Sequence, residues 1–319
     1  MSRIFFVSAR ADEPPSAVAD KAWRLCDEVL GTSGPAAGTP LAYHLDRHVR
    51  TRAETQFRGW TGSLPDRLRE RGYALTPLAP VAEPERDGVD VEAAGGAPTS
   101  ARLSRTARDA PGLLFCRRVI CHPMSGLDGA LAVLAYGCLS AAGKRGLQAG
   151  LQPRIEPSVC GGCGMCVTLC DRDGVRFNGH VSEIQPANCL ACGDCLLECA
   201  TRDLRFPPGA GVGVQKRLAA IAAAAAAGKA GRMIWLLFLL NEPERHGVNL
   251  GRPRQWPDLG LLAGSDPVAL DCAARELIER ETGRSLFDWC GGEVDPGVLL
   301  DEAERLGAGS SRFQLTELG

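Results

Sequence analysis

Eight cysteines near the middle of the chain form two groups with the same spacing. The groups are Cys160, Cys163, Cys166 and Cys170, then Cys189, Cys192, Cys195 and Cys199. Each follows C-x2-C-x2-C-x3-C and is followed by a similar tail, DRDGVRF or ATRDLRF. Thiolates are soft metal ligands, and this run is typical of bacterial two-cluster iron–sulfur proteins. The repeat therefore predicts two [4Fe–4S] clusters.

The two cysteine groups are predicted to share their ligands. In bacterial two-cluster proteins the fourth cysteine of each run ligates the cluster of the other run. We therefore expect one cluster on Cys160, Cys163, Cys166 and Cys199, and a second on Cys189, Cys192, Cys195 and Cys170. Structural zinc is the alternative, but zinc sites usually separate two C-x2-C pairs along the chain. The proline usual after the fourth cysteine is Asp171 in one run and Ala200 in the other, which removes no ligand.

Composition limits the other partners. The formal net charge of −2 and the pI near 6.2 show no basic excess, so we expect no nucleic-acid binding. The opening MSRIFFVSAR lacks the features of a signal peptide, which favours a cytoplasmic protein with reduced thiols. The apolar run from 218 to 240 is interrupted by Gly228, Lys229 and Arg232. It therefore predicts a helix followed by a buried strand, with no membrane insertion.

Helical and strand patterns alternate on both sides of the cysteine repeat. Strands are expected at 3–8, 113–120 and 233–240, and helices at 15–31, 64–72, 218–228 and after Asp266-Pro267. Residues 81–111, rich in proline, glycine and charge, are predicted to form a long exposed loop. The alternation predicts an α/β fold with a layered, mainly parallel sheet.

Prolines and glycines at both edges of the cysteine repeat predict domain boundaries. We expect residues 153–207 to be an inserted α+β domain, ferredoxin-like, with two clusters. Residues 1–152 and 208–319 are then the two parts of one α/β domain.

Three segments together resemble a known family. They are CHPMSGLDGALAVLAYGCLSAAGK at 121–144, the double cysteine run, and GLLAGSDPVALD at 260–271. They resemble the domain-of-unknown-function 362 family, in its version with an inserted two-cluster ferredoxin, over roughly residues 113–286. The matching positions are His122, Gly126, Gly129, Ala130, Gly137, Cys138, Gly143, Lys144, Asp266, Pro267, Val268, Ala269 and Asp271. The resemblance implies an α/β fold and iron–sulfur binding more firmly than a reaction.

The chain also departs from the pattern of that family. Ala132-Val133 stands where the family usually has Lys-Asn, and the histidine often found after the glycine-lysine pair is missing. These departures favour a different substrate, or a domain that no longer catalyses.

His122 and Cys138 are the candidate catalytic residues. His122 follows a predicted strand and precedes a turn, where an imidazole could donate a proton to a reduced substrate or ligate iron. Its alternative role is a hydrogen-bonded side chain that shapes the turn. Cys138 is either a reactive thiol, a further ligand, or a small buried apolar residue.

Other polar residues each have a structural alternative. Lys144 could bind an anionic substrate or be a solvated lysine. Asp266 and Asp271 are either a helix cap and its neighbour or a carboxylate pair facing a pocket. His44 and His48 share one face if their segment is an exposed helix, which we favour over a metal site. The cysteines without ligand spacing are predicted to be structural: Cys26, Cys116, Cys121, Cys272 and Cys290.

These features predict an iron–sulfur redox protein that passes single electrons to a substrate or cofactor bound at the α/β domain. The alternatives are a ferredoxin-type carrier that docks to a separate enzyme, or a binding or assembly protein with structural clusters. The expected partners are a redox protein and a small-molecule substrate. No nicotinamide-binding motif is present, and a flavin stays open because many flavin sites lack a short motif. The sequence leaves open whether the protein is an oxidoreductase.

Overall fold

The protein is described from a computed structural model. The structure describes residues 1–45, 52–78, 88–92, 101–122, 124–147, 151–170, 172–189, 194–197, 199, 201, 204–207, 209–240, 256–290, 292 and 294–319.

These residues form fifteen strands and twelve helices. The strands are β1 (Ser2–Ser8), β2 (Leu41–Leu45), β3 (Leu75–Pro77), β4 (Gly88–Val91), β5 (Ala101–Ser104), β6 (Gly112–Arg118), β7 (Ile120–His122), β8 (Gly126–Asp128), β9 (Arg154–Ile155), β10 (Val175–Phe177), β11 (Ser182–Ile184), β12 (Leu204–Arg205), β13 (Met233–Leu239), β14 (Gly260–Gly264) and β15 (Phe313–Glu317). The helices are α1 (Pro15–Thr32), α2 (Arg52–Thr61), α3 (Leu64–Glu70), α4 (Arg105–Asp109), α5 (Ala130–Cys138), α6 (Ala141–Leu147), α7 (Met165–Leu169), α8 (Asp194–Leu197), α9 (Ala210–Ala226), α10 (Pro267–Thr282), α11 (Leu286–Trp289) and α12 (Pro296–Arg305).

A seven-stranded sheet organises the fold, in the order β15-β1-β14-β13-β6-β2-β3. Strand β14 runs antiparallel to both neighbours, β1 and β13. The remaining neighbours in the sheet pair in parallel. The predicted α/β class with a mainly parallel sheet is confirmed, with one reversed strand that the sequence pattern did not indicate.

Helices cover both faces of this sheet. One face packs against α5, α9, α10 and α12, and the other against α1, α2 and α3. Strand β13 contributes to both layers because alternate side chains point to opposite faces of a sheet. Trp235 and Leu237 lie in the first layer, while Ile234, Leu236 and Phe238 lie in the second.

The apolar run that could have suggested a membrane segment is divided between a helix and a strand. Helix α9 ends at Ala226, Gly228 has a φ of 70°, and β13 begins at Met233 with every residue buried. None of the helices in the described part of the chain has the length and apolarity that a bilayer crossing requires. The expected helix and buried strand are confirmed.

Two local predictions are wrong. His44 lies in β2, not on a helix, because this segment pairs in parallel with both β6 and β3. His48 lies outside the described residues. The predicted exposed loop at 81–111 contains the β4–β5 hairpin and α4, and the apolar Ala101, Leu103 and Ala107 are buried. Apolar burial therefore outweighed the surrounding turn-forming composition.

The cysteine-rich segment has its own short elements, which follow the order β9, α7, β10, β11, α8, β12. Strands β10 and β11 pair antiparallel, and β9 pairs antiparallel with β12, so the first and last strands lie together. Leu151 and Phe206, which flank these outer strands, both pack against the main core. Arg217 of α9 donates a hydrogen bond to the carbonyl of Leu147 at the end of α6 (2.9 Å). The segment therefore leaves and re-enters the α/β layers at neighbouring points.

Candidate functional site

The two cysteine runs repeat in local structure as well as in spacing. The amide of Cys160 donates to the carbonyl of Glu156 (3.1 Å), and the amide of Cys189 donates to the carbonyl of Gln185 (2.9 Å). A proline follows each acceptor, at 157 and 186, so the same turn precedes both runs. After helices α7 and α8, the amides of Cys170 and Cys199 donate to Val167 and Leu196 respectively. The internal repeat predicted from spacing is thus present in the backbone.

One cavity brings cysteines of both runs together. Its walls include Cys160, Cys163 and Cys166 of the first run and Cys199 of the second. The space between these walls is about 350 Å³ when the open solvent at the mouth is counted. Cys163 is exposed and Cys166 is buried, so the cavity runs from the surface towards the small core of this segment. Its four cysteines are the set predicted for one cluster.

Glycines shape the backbone around this cavity. Gly162 and Gly164 have φ values of 63° and 70°, a region that residues with a Cβ rarely adopt. A Cβ on Gly162 would lie 2.7 Å from the carbonyl oxygen of His180. The chain can therefore wrap this closely only because these positions lack side chains.

The pKa of Cys166, the most buried thiol of the cavity, is shifted by its surroundings. Burial raises the pKa of Cys166, while the side chain of Ser182 and nearby backbone groups oppose that shift by favouring the thiolate. Ser182 also lines the cavity and is 3% exposed. The cavity thus has a polar side chain, that of Ser182, beside its most buried thiol, Cys166.

The second predicted ligand set is only partly described. The Cys170 thiol accepts a hydrogen bond from the amide of Gly174 (3.2 Å). A Cβ on Gly174 would lie 3.1 Å from that sulfur and 3.2 Å from the Cα of Cys189, so Cys170 and Cys189 both lie beside this glycine. Cys195 packs against the same small core as Cys170, and Cys192 lies outside the described residues.

No three histidine, cysteine, aspartate or glutamate side chains within the described residues converge on a point where one metal ion could be held. The cavity thiols line a space between the two cysteine runs. A single zinc ion would draw four sulfurs to about 3.8 Å from one another, given a Zn–S distance of about 2.3 Å. Within the described residues the thiols would therefore have to approach one another more closely to bind a single zinc ion.

His122 lies at the end of β7 and is 5% exposed. Its Nδ1 accepts from the backbone amides of Met124 (3.2 Å) and Ser125 (3.4 Å). These bonds leave Nε2 as the nitrogen that carries the proton in a neutral imidazole. The side chain shapes the turn to β8, and its proposed chemical role stays a prediction.

Cys138 is the last residue of α5 and is fully buried. Burial raises the pKa of its thiol to about 12, although Lys229 and Lys144 oppose the shift. Such a thiol is almost wholly protonated at neutral pH, so its surroundings favour packing over nucleophilic chemistry. Lys144 is half-buried in α6.

Asp266 and Asp271 accept hydrogen bonds at the starts of two different helices. Asp266 Oδ1 accepts from the amides of Val268 (3.0 Å) and Ala269 (3.1 Å), which confirms the predicted cap of α10. Asp271 is completely buried and accepts from the amides of Ala130 (2.6 Å) and Leu131 (2.9 Å) at the start of α5. The carboxylate-pair interpretation is therefore wrong, because the two side chains satisfy separate backbone donors.

A buried ion pair was not anticipated from the sequence. Arg117, near the end of β6, pairs with Asp128 at the end of β8, and both side chains are almost completely buried. The charges of Asp128 and Arg117 both act on Asp271. A charged residue in the apolar strand LLFCRR was the only signal that a partner was needed.

Two cysteines that show no ligand spacing meet in three dimensions. Cys290, just after α11, lies with its sulfur 2.8 Å from that of Cys121 in β7, and its thiol also contacts the carbonyl of Gly126 (3.0 Å). The positions are 169 residues apart, which is why sequence spacing did not reveal the pair.

These features define a mixed α/β protein with a cysteine-rich segment between two parts of its main sheet domain. The sequence profile described as "Domain of unknown function (DUF362)" matches residues 70–276, which include that segment. The chain belongs to this family. The match begins before the region of resemblance identified from motifs and ends just before its limit.

The other comparisons give no functional description. A crystal structure of a protein from Thermotoga maritima, solved by a structural genomics consortium, is similar with a TM-score of 0.38 and 9% sequence identity. The similarity covers 94% of this chain, and the chain spans 60% of that protein. No curated protein matches the chain.

Proposed function

We propose that the protein is an iron–sulfur oxidoreductase whose cysteine-rich segment is ferredoxin-like and binds two [4Fe–4S] clusters. Single electrons would pass through this segment to a substrate or cofactor at the α/β domain. The proposed location is the cytoplasm, where thiolates stay reduced.

The observation that carries the proposal is the position of Cys199. It lines the cavity of Cys160, Cys163 and Cys166, although it belongs to the second cysteine run. Crossed ligation of this kind is typical of bacterial two-cluster proteins. The spacing alone predicted that crossing, and the cavity supports it independently.

The donor set and the backbone around it also fit such a group. Four thiols line one cavity, and the glycines at 162 and 164, with positive φ, allow a tight backbone around it. When bound, a [4Fe–4S] cluster exchanges one electron at a potential set by hydrogen bonds and exposure. Here burial of Cys166 and the neighbouring Ser182 are the features through which the chain would tune that potential.

The attachment of the segment supports transfer to a fixed acceptor. Leu151 and Phe206 pack against the main core at its two ends, so the segment cannot diffuse freely from the α/β domain. Of the two proposed receiving groups, His122 has more support than Cys138. The thiol of Cys138 is both fully buried and protonated at neutral pH.

A second candidate is a ferredoxin-type carrier that docks to a separate enzyme. Cys163 is exposed, and two apolar side chains of the same segment, Val159 and Phe177, are 51% and 45% exposed. Exposed apolar groups beside a redox centre are suited to a transient partner. This candidate uses the same cluster ligands and differs only in the acceptor.

The first experiment is anaerobic purification with iron and sulfide quantification, followed by EPR during reductive titration. The proposal expects about eight irons and eight sulfides per chain, with the signal of two interacting clusters. Zinc in place of iron, or no reducible signal, would overturn it.

Four single variants test the crossed ligand sets. Cys163→Ser and Cys199→Ser should leave the same residual EPR spectrum, because both residues line one cavity. Cys170→Ser and Cys189→Ser should leave the other spectrum. Cys26→Ala, a buried cysteine far from the segment in sequence, is the control and should keep both clusters. If Cys199→Ser instead matched Cys189→Ser, each run would bind its own cluster.

The acceptor is tested on the intact protein. With fully reduced clusters, an oxidoreductase should show faster reoxidation by candidate small molecules when His122 is present than in His122→Gln. If the protein is a carrier, wild type and His122→Gln should be reoxidised by small molecules at equal rates. Phe177→Ser, which removes the exposed ring, should then slow reoxidation by a partner protein.

A further inference from the structure

We propose that Cys121 and Cys290 form a thiol–disulfide exchange site in the α/β domain, whose reactants are low-molecular-weight disulfides and thiols. The site lies outside the cysteine-rich segment and does not depend on cluster binding.

The two sulfur atoms are already close enough to react. Their separation is 2.8 Å, and a disulfide bond is about 2.05 Å long. A movement of less than about 1 Å would therefore join them. Cysteines placed by chance in a core seldom meet this requirement, because both Cβ directions must converge.

The pair has one half-buried member and one buried member. Cys290 is partly exposed and follows the short helix α11, whereas Cys121 is 7% exposed and belongs to the β7–β8 hairpin. Cys290 is the more exposed of the two, so the proposal places the first attack at Cys290, with Cys121 in place to complete the exchange. The carbonyl of Gly126 contacts the Cys290 thiol and orients it.

The exchange proceeds in two balanced steps. The Cys290 thiolate attacks a disulfide RSSR, forming the mixed disulfide Cys290–S–SR and releasing RS⁻, which takes up the proton that Cys290 lost. The Cys121 thiolate then attacks the Cys290 sulfur and expels the second RS⁻, which takes up the proton of Cys121. The protein loses two electrons, and one RSSR is reduced to two RSH.

The surroundings predict how the rate depends on pH. The contact with Cys121, together with burial, raises the pKa of the Cys290 thiol. Because the thiolate is the attacking form, exchange should be slow at neutral pH and should speed up as the pH rises.

The bond would couple distant parts of the chain beside His122. It would connect β7 to the residue after α11, closing a loop that contains the whole cysteine-rich segment. His122 follows Cys121 directly, so oxidation would change the surroundings of the imidazole proposed above as a receiving group.

The test uses the intact 319-residue chain, purified anaerobically and incubated with oxidised glutathione. Samples are quenched with acid, alkylated, and digested with trypsin without reduction. We expect a disulfide-linked peptide pair, 119–144 joined to 285–305, which disappears when reduced glutathione is added in excess. The linked peptides contain none of the predicted cluster ligands, so cluster loss during oxidation cannot produce the same product.

Single variants identify the atoms involved. Cys121→Ser and Cys290→Ser should each abolish the linked pair, while Cys138→Ala, in the same tryptic peptide as Cys121, should retain it. Cys290 is partly exposed, so its substitution should leave folding intact. The proposal is overturned if the wild-type protein shows only separate glutathione adducts, or if the link persists in Cys121→Ser, where Cys138 would be the partner of Cys290.

Discussion

Asp271 Oδ1 lies 2.6 Å from the backbone nitrogen of Ala130, so a carboxylate in α10 caps α5, which begins 141 residues earlier in the chain. Asp271 has no exposed surface, and its second oxygen accepts from Leu131. Burial raises the pKa of this carboxyl to about 7, although the two backbone hydrogen bonds oppose the shift. The cap therefore links two helices and titrates near neutral pH.

Stability should depend on pH through Asp271. The unfolded chain has an aspartate pKa of about 3.9, so between pH 4 and 7 the folded protein holds more protons and its free energy of unfolding falls as the pH rises. The stabilisation that the protonated Asp271 contributes has its full value, at most about 4 kcal/mol, below about pH 4. It is lost above about pH 7. Asp271→Asn cannot titrate. Its stability difference from wild type, measured by urea unfolding at pH 5 and pH 8, should therefore shrink at the higher pH.

The matched control for this experiment is Asp20→Asn. Asp20 is largely exposed and pairs with Arg67 on the surface, where ion pairs contribute little. Its effect should be small at both pH values. A difference between wild type and Asp271→Asn that stays constant with pH would show that the buried carboxyl does not titrate in this range.

The Arg117–Asp128 pair should show strong coupling. Arg117→Leu leaves the carboxylate of Asp128 buried without its partner, which typically costs about 3–5 kcal/mol of unfolding free energy. Arg117→Leu/Asp128→Leu removes both charges and should cost less than Arg117→Leu alone. Thermal and chemical unfolding of the single and double variants measure this coupling. Additive losses would mean that the two charges act independently.

The effect of replacing a glycine of the cavity on bound iron should depend on the position of that glycine. Gly162→Ala forces a Cβ into a positive-φ residue and against the His180 carbonyl, so the proposal of two clusters predicts a loss of iron from one of them. Gly161→Ala is the control, since its Cβ would meet only the Thr201 methyl group at 3.3 Å. Iron and sulfide analysis after anaerobic purification distinguishes the two. Equal iron in both variants would contradict the proposed wrapping.

Cys138 and Cys163 should differ sharply in reactivity. With a pKa of about 12, the buried Cys138 thiol is a thiolate in far fewer molecules at pH 7 than an ordinary cysteine. In metal-free protein, N-ethylmaleimide should therefore label the exposed Cys163 at least about 100-fold faster. Quantitative peptide mass spectrometry over a time course gives both rates. Rapid labelling of Cys138 would restore it as a candidate reactive thiol.

Patterns with a short period were informative in this chain. The strand at 233–240, the cap at Asp266 and the helix ending before Gly283 follow from apolar runs and local hydrogen-bonding rules, and the structure has all three. The strand at His44 was missed because a short polar pattern does not show which strands will flank it. The buried parts of 81–111 were missed because composition alone does not show what covers a segment.

The sequence by itself determined the α/β class, the family, the repeated cysteine turns and the local helix caps, because spacing and periodicity act over a few residues. Only the tertiary structure brought Asp271 to the start of α5 and Cys290 to Cys121, whereas the position of Cys199 beside the first run was already predicted from the spacing. The two contacts that were not predicted join residues 141 and 169 positions apart. Their existence depends on how sheet and helices pack, since no local rule relates residues that far apart along the chain.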